Sequence, residues 1–196
     1  MKNPSFEIPC VILCGGKSSR MGEDKALLPF NNSKTLAEYQ YDRLKPFFKN
    51  IYLSSKENKF DFLDKNNLLL DESKTYSPIA ALDSILTKLN EKKVFIITVD
   101  TPLVSIKSIE KIINASKEFD ITVAKTIRTH NLCGVFSSNI SLTTRKMLQE
   151  DFHKVGFLLQ NNKTNILQLP NDDEFINLNH KEDYFKSLKM ISNTYN

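Results

Sequence analysis

Three of the chain's five glycines fall within eight residues, in the stretch Leu13 to Lys25, LCGGKSSRMGEDK. Glycines that follow an apolar run leave backbone N–H groups uncovered, and oriented N–H groups beside cations suit a polyphosphate. Gly15 and Gly16 supply the bare backbone, Arg20 a planar fork and Lys25 a mobile point charge. Spacing excludes two common phosphate loops. A GxxxxGK[ST] loop ending in Gly16-Lys17-Ser18 requires glycine at Val11, and Gly15, Gly16 and Gly22 do not form GxGxxG. The competing explanation is an ordinary tight turn with incidental lysines. A second chemical signal is VFIITVDTP, where Asp100 leaves an apolar run and Pro102 stiffens the exit. A hard oxygen ligand so mounted suits Mg²⁺, which takes one or two carboxylates together with substrate phosphates and water. The alternative for Asp100 is to cap the helix that follows.

These residues need a frame that brings residue 25 to residue 100. IPCVIL is a short apolar run ending in glycines, as in a strand buried on both faces. Thr35 to Phe47 has helical spacing, with Pro46 near its end. IYLSS and NLLLD predict strands, Ser77-Pro78 opens a helix through about Leu89, and KKVFIITVD is the strongest strand. SIKSIEKIINASKEF predicts a helix and DITVA a strand. Such alternation predicts an α/β fold, a mostly parallel sheet with helices on both faces. The second half is less regular: LCGVFS, NILQLP and FINLN predict strands, SLTTRKMLQED and VGFLLQNN helices, and HKEDYFKSLKMI a closing helix. His130 falls in a loop before a strand and is expected at the surface or a substrate rim.

Open parallel sheets take ligands beyond the carboxyl ends of their strands. The loops leaving the strands carry Gly15, Gly16, Arg20 and Lys25, then Ser54 and Ser55, then Asp71, then Asp100, and late in the chain Asn177 and Asn179.

Composition narrows the class. A chain of 196 residues suits one domain, and its net charge of +4 is spread out, which argues against nucleic acid as a partner. Cys10, Cys14 and Cys133 form no CxxC pair and are expected to be buried thiols of a reducing cytoplasm. No apolar run approaches the length of a membrane span, so no membrane partner is expected and the protein is expected to be cytoplasmic.

LCGGKSSRMGEDK is similar to the LAGGxSxRMGxDK motif of the three-layer α/β/α nucleotidyltransferases, and resembles the molybdenum cofactor guanylyltransferases in particular. The likeness continues through Asp71, YSPIAAL, VDTP and the NLN of Asn177 to Asn179, covering about residues 10 to 188. It implies transfer of GMP from Mg·GTP to molybdopterin, with Mg²⁺ as cofactor, and it admits other cofactor-biosynthesis proteins and molybdoenzymes as partners. Carried over position by position, Leu13, Cys14 and Gly15 line the nucleotide through their backbone. Gly16, Arg20 and Lys25 meet the phosphates. Ser54 stands near the base or ribose, where the family often has asparagine. Asp71 faces the guanosine half and Asp100 holds Mg²⁺, while Asn177 and Asn179 lie on the pterin or metal side. Lys154, with His153 beside it, suits the second substrate's phosphate. Arg20, Lys25 and Asp100 are then the catalytic set. The resemblance implies a single domain, its nucleotide-binding half about 8–125 and its second-substrate half about 126–190. Ser77 and Ala81 replace glycines near the base, so guanine specificity is less firmly implied than the reaction. A cytidylyltransferase on the same pterin, a sugar-phosphate nucleotidyltransferase and a non-catalytic cofactor-binding adaptor stay open.

Overall fold

The computed structural model describes residues 6–15 and 24–194. Its strands are β1 (Cys10–Leu13), β2 (Ile51–Ser55), β3 (Leu68–Leu70), β4 (Lys93–Thr98), β5 (Ile121–Lys125), β6 (Thr129–Ser137) and β7 (Thr164–Gln168). Its helices are α1 (Leu36–Leu44), α2 (Pro78–Leu89), α3 (Ile106–Ala115), α4 (Ser141–Gln149), α5 (Val155–Gln160) and α6 (Lys181–Thr194). Among the described residues the strands form one seven-stranded sheet in the order β3-β2-β1-β4-β6-β5-β7. Strand β6 runs antiparallel to both its neighbours, and the other pairings are parallel.

Successive side chains of a strand point to opposite faces, so a strand covered on both sides must be apolar throughout. Cys10 and Ile12 of β1, with Phe95 and Ile97 of β4, enter a core shared with α1, α3 and α6. Val11 and Leu13, with Val94 and Ile96, enter a second core against α2, α4 and α5. The result is three layers.

Local chemistry starts the helices. The hydroxyls of Thr35, Ser77 and Ser105 accept hydrogen bonds from the amides of Glu38, Ala80 and Ser108 at 3.0–3.1 Å, each cap contributing about 1 kcal/mol. Pro78 sits in the first turn of α2, where its missing N–H costs nothing.

Two expectations need correction. Phe175–Asn179 is not a strand: a 3-10 turn over Asp173–Phe175 leads into a loop. There the Leu178 amide donates to the carbonyl of Asp100 at 2.8 Å and the Asn179 amide to that of Asn177 at 2.7 Å, leaving no ladder to continue. His130 lies within β6 rather than in a preceding loop, and it is buried. Adjacent Val123 and Ala124 face Gly134 and His130, so Asn131, Leu132 and Cys133 bulge from the ladder. Gly134 is required at the end of this bulge, because a Cβ there would meet the Thr122 carbonyl oxygen at 2.1 Å.

Candidate active site

From β1 the sheet grows toward β2 and β3 on one side and toward β4 on the other. Such a reversal leaves a crevice beyond the strand ends that helices cannot cover. Cys14 and Val99 line its floor: the Cys14 amide donates to the Ser54 carbonyl at 2.8 Å, and the Val99 amide to the Leu13 carbonyl at 3.0 Å. At Gly15 the space a Cβ would occupy is open. Leu13, Gly15, Ser54, Ser55, Asp71 and Thr98 therefore share one rim.

Lys25 stands in a 3-10 turn, Lys25–Leu27, begun by Asp24, whose carboxylate accepts from the Ala26 amide at 3.0 Å. Its ammonium donates to Asn179 Oδ1 at 2.8 Å and lies 3.7 Å from Asp100 Oδ2. Residues 25, 100 and 179 thus converge. Asp100 does not cap α3, because Ser105 does. Asp100 Oδ1 is buried and has no hydrogen-bond partner among the described residues. A buried carboxylate oxygen without a donor is costly, and a divalent cation would satisfy it. Asp100 therefore fits a carboxylate of the kind that Mg²⁺ takes, one or two at a time, beside substrate phosphates.

Three adjoining hollows lie at the same end of the sheet. One of about 310 Å³ is lined by Leu13, Gly15, Ser54, Asp71, Tyr76 and Ala81, among others. A more polar one of about 400 Å³ joins it through Gly15, Ser55, Lys56 and Tyr76, and adds Asp24 and Lys59, which contact each other. The third, of about 230 Å³, meets the first at Thr98 and Leu132 and is walled by Arg128, His130, Asn131 and Asn177. There Arg128 donates to Asn177 Oδ1 at 3.1 Å.

Asp71 is buried at the edge of the first hollow with both oxygens engaged: Oδ1 accepts from the Ser73 amide at 3.0 Å and Oδ2 is 2.7 Å from Lys56 Nζ. Lys56 also donates to the carbonyls of Ser73 and Thr75 and lies 5.2 Å from the Tyr76 ring centre. One ammonium therefore fastens residues 71–76 along the hollow. Ser77 and Ala81 line the same wall.

Leu13, Cys14, Gly15, Lys25, Ser54, Asp71, Asp100, Asn177 and Asn179 all gather at this end of the sheet. Gly16 and Arg20 lie outside the described residues. Lys154 takes the N-cap position of α5, is exposed and lines none of the three hollows. The thiols of Cys10, Cys14 and Cys133 are free and buried, and burial pushes each upward, that of Cys133 to about 12. None is a nucleophile at neutral pH. Sequence reasoning passed over Lys56, Lys59 and Arg128. Lys56 follows Ser55 at the exit of β2, so the rule that found Ser54 reaches it too. Arg128 is visible only once β5 and β6 are known to form a hairpin.

A crevice at the strand reversal with a lysine and a carboxylate meeting near it suits phosphate transfer, and its relatives identify the molecule as a nucleotidyltransferase. A family model described as a MobA-like NTP transferase domain matches residues 10–164. A molybdenum cofactor guanylyltransferase of Campylobacter jejuni subsp. doylei is 40% identical over 184 residues, 92% of this chain and 95% of that protein. Another, from Helicobacter pylori, is 34% identical over the whole of both chains. The solved molybdopterin-guanine dinucleotide biosynthesis protein A of Archaeoglobus fulgidus shares the fold with a TM-score of 0.81 at 16% identity, covering 95% of this chain and 100% of that one. This chain belongs to the MobA-like NTP transferase family, that of the molybdenum cofactor guanylyltransferases.

Proposed function

We propose that this chain transfers GMP from Mg·GTP to the terminal phosphate of molybdopterin, forming the molybdopterin guanine dinucleotide cofactor and pyrophosphate. The observation that carries this reading is the meeting of Lys25, Asp100 and Asn179 at the strand reversal, with one Asp100 oxygen buried and unpartnered.

A phosphate oxygen of molybdopterin attacks the α-phosphorus of GTP in line; the new P–O bond forms as the bond to the pyrophosphate oxygen breaks. The attacking phosphate is already ionised at neutral pH, so no side chain need remove a proton. Bringing two anions together is the difficulty, and positioned cations meet it. Lys25, held by Asn179, sets a charge where the nucleotide phosphates approach, and backbone amides around Gly15 add oriented dipoles. Asp100 is the residue that would hold Mg²⁺. When bound, Mg²⁺ supplies charge neutralisation at phosphate oxygens. Residues 8–125 accordingly serve the nucleotide and 126–190 the second substrate, with the first hollow for the base and ribose and the Arg128–Asn177 hollow for the pterin. Arg20 and Gly16 belong to the phosphate loop in this reading, and Lys154 to the second substrate. No helix among the described residues is long and apolar enough to cross a membrane.

The test is pyrophosphate release from purified protein with molybdopterin, comparing GTP with CTP. Release with GTP at about 100 times the rate seen with CTP is expected, the upper end of the roughly 1–3 kcal/mol that one bidentate contact to a base edge supplies. Preference for CTP overturns the guanine assignment; no release with either overturns the reaction.

A further inference from the structure

Behind the Arg128–Asn177 hollow, Thr126, His130 and Asp172 form a hydrogen-bonded row that the reaction above does not use. Thr126 Oγ1 lies 2.7 Å from His130 Nε2 and also contacts Asp172 Oδ1. A hydroxyl has one proton to donate. Asp172 is exposed, and the Thr126 hydroxyl, assisted by the Ile127 amide and by His130 and Arg128, holds its carboxyl below the ordinary range. It is therefore a carboxylate at neutral pH and only accepts. Thr126 gives its proton to Asp172 and must accept from His130, so the imidazole proton sits on Nε2.

The ring is neutral as well as oriented. Burial, and then the charge of Arg128, hold His130 below its ordinary value against the opposing pull of Asp172. Phe175 stacks on the ring with centroids 4.5 Å apart. In a neutral imidazole protonated on Nε2, Nδ1 carries a lone pair that Thr126, engaged at Nε2, does not take. His130 lines the hollow beside Asn131 and Leu132 of the bulge and Asn177 of the late loop. A fixed lone pair on such a wall repels carbonyl and phosphate oxygens and attracts an N–H.

We infer that His130 is a specificity residue for the second substrate: its Nδ1 accepts a hydrogen bond from an N–H of a nitrogen heterocycle, while Thr126 and Asp172 hold the tautomer that makes this contact. This rests on the pterin reading above, since a pterin presents ring N–H and amino groups where a sugar phosphate presents only hydroxyls and phosphate oxygens.

Two amide substitutions separate the ring's nitrogens. His130→Gln keeps a donor near the Nε2 position and its bond to Thr126, but places no acceptor at Nδ1; His130→Asn keeps an acceptor near Nδ1 and gives up Thr126. The inference expects His130→Gln to raise KM for molybdopterin about tenfold with KM for GTP unchanged, and His130→Asn to stay within about threefold of the parent. The reverse ranking makes the ring a brace for Thr126 and overturns the inference. The imidazole ¹⁵N spectrum of the unmodified protein supplies a readout independent of turnover. It should show the Nε2–H tautomer, Thr126→Val should mix the tautomers, and added molybdopterin should move the Nδ1 resonance. An unmoved resonance overturns the inference even where turnover is normal. Absent turnover with a moved resonance overturns the guanylyltransferase reading and leaves the contact standing.

Discussion

Asp100 is the residue on which chemistry and stability separate most cleanly. Its Oδ1 has no partner among the described residues, so Asp100→Asn removes no hydrogen bond from that oxygen, and Lys25 keeps Asn179. Turnover should nevertheless fall about a thousandfold, or ~4 kcal/mol of barrier, as expected on losing a group that offsets phosphate charge. Pyrophosphate release measured beside thermal melting checks this; a melting temperature that falls along with the rate makes Asp100 structural instead. At this scale much was legible in the sequence. Asp100 leaves the strongest strand of the chain, and Lys25 closes a glycine-rich stretch, so both were recognisable by residue type and place. Lys56 was not, because its value lies in reaching Asp71 and the carbonyls of Ser73 and Thr75, and lysines at strand exits are usually solvated. His130 was placed in a loop because nothing in RTHNLCG announces a strand that carries a bulge taking three residues out of the ladder.

Among the elements, the segment of residues 171–180 positions both asparagines with no regular structure of its own beyond the 3-10 turn Asp173–Phe175. Its anchor is Glu174, whose Oε2 accepts from the Ser105 amide at 3.2 Å, the Ser105 hydroxyl at 2.9 Å and the Ser108 hydroxyl at 2.7 Å. Burial pushes the Glu174 carboxyl up, but these bonds and one from Asn171 outweigh it and leave the group below its ordinary value. A carboxyl lowered on folding adds stability above its unfolded pKa, and that stability is lost as the pH falls through the folded one. Glu174→Gln should therefore cost about 1–2 kcal/mol at pH 7 and much less at acid pH; urea unfolding at both conditions checks the difference. The apolar runs predicted the strands β1 to β5, but FINLN mimics a strand because Ile176 and Leu178 alternate with asparagines, whereas the buried pair is Phe175 and Leu178, three apart. They reach the core from a turn and a loop, an arrangement that alternation alone does not distinguish from a ladder. Gly134→Ala tests the bulge. With the added methyl 2.1 Å from the Thr122 carbonyl oxygen, about 3 kcal/mol of stability should be lost, and unfolding in urea at an unchanged midpoint would refute the close approach.

For the whole molecule, the alternation of strand and helix was enough to predict layers and a crevice, because parallel strands require crossovers and crossovers cover both faces. The antiparallel insertion of β6 was not legible: its residues are as apolar as those of a parallel strand, and direction is set by pairing. Assembly across the reversal also makes nucleotide affinity a property of the complete fold. GTP at about 100 times its Kd should raise the melting temperature by about 5 to 10 °C, and differential scanning fluorimetry with CTP as control checks it. The bond from Lys25 to Asn179 joins residues 154 apart in the chain. During synthesis, then, the Lys25 ammonium gains its Asn179 partner only after 154 further residues have been added.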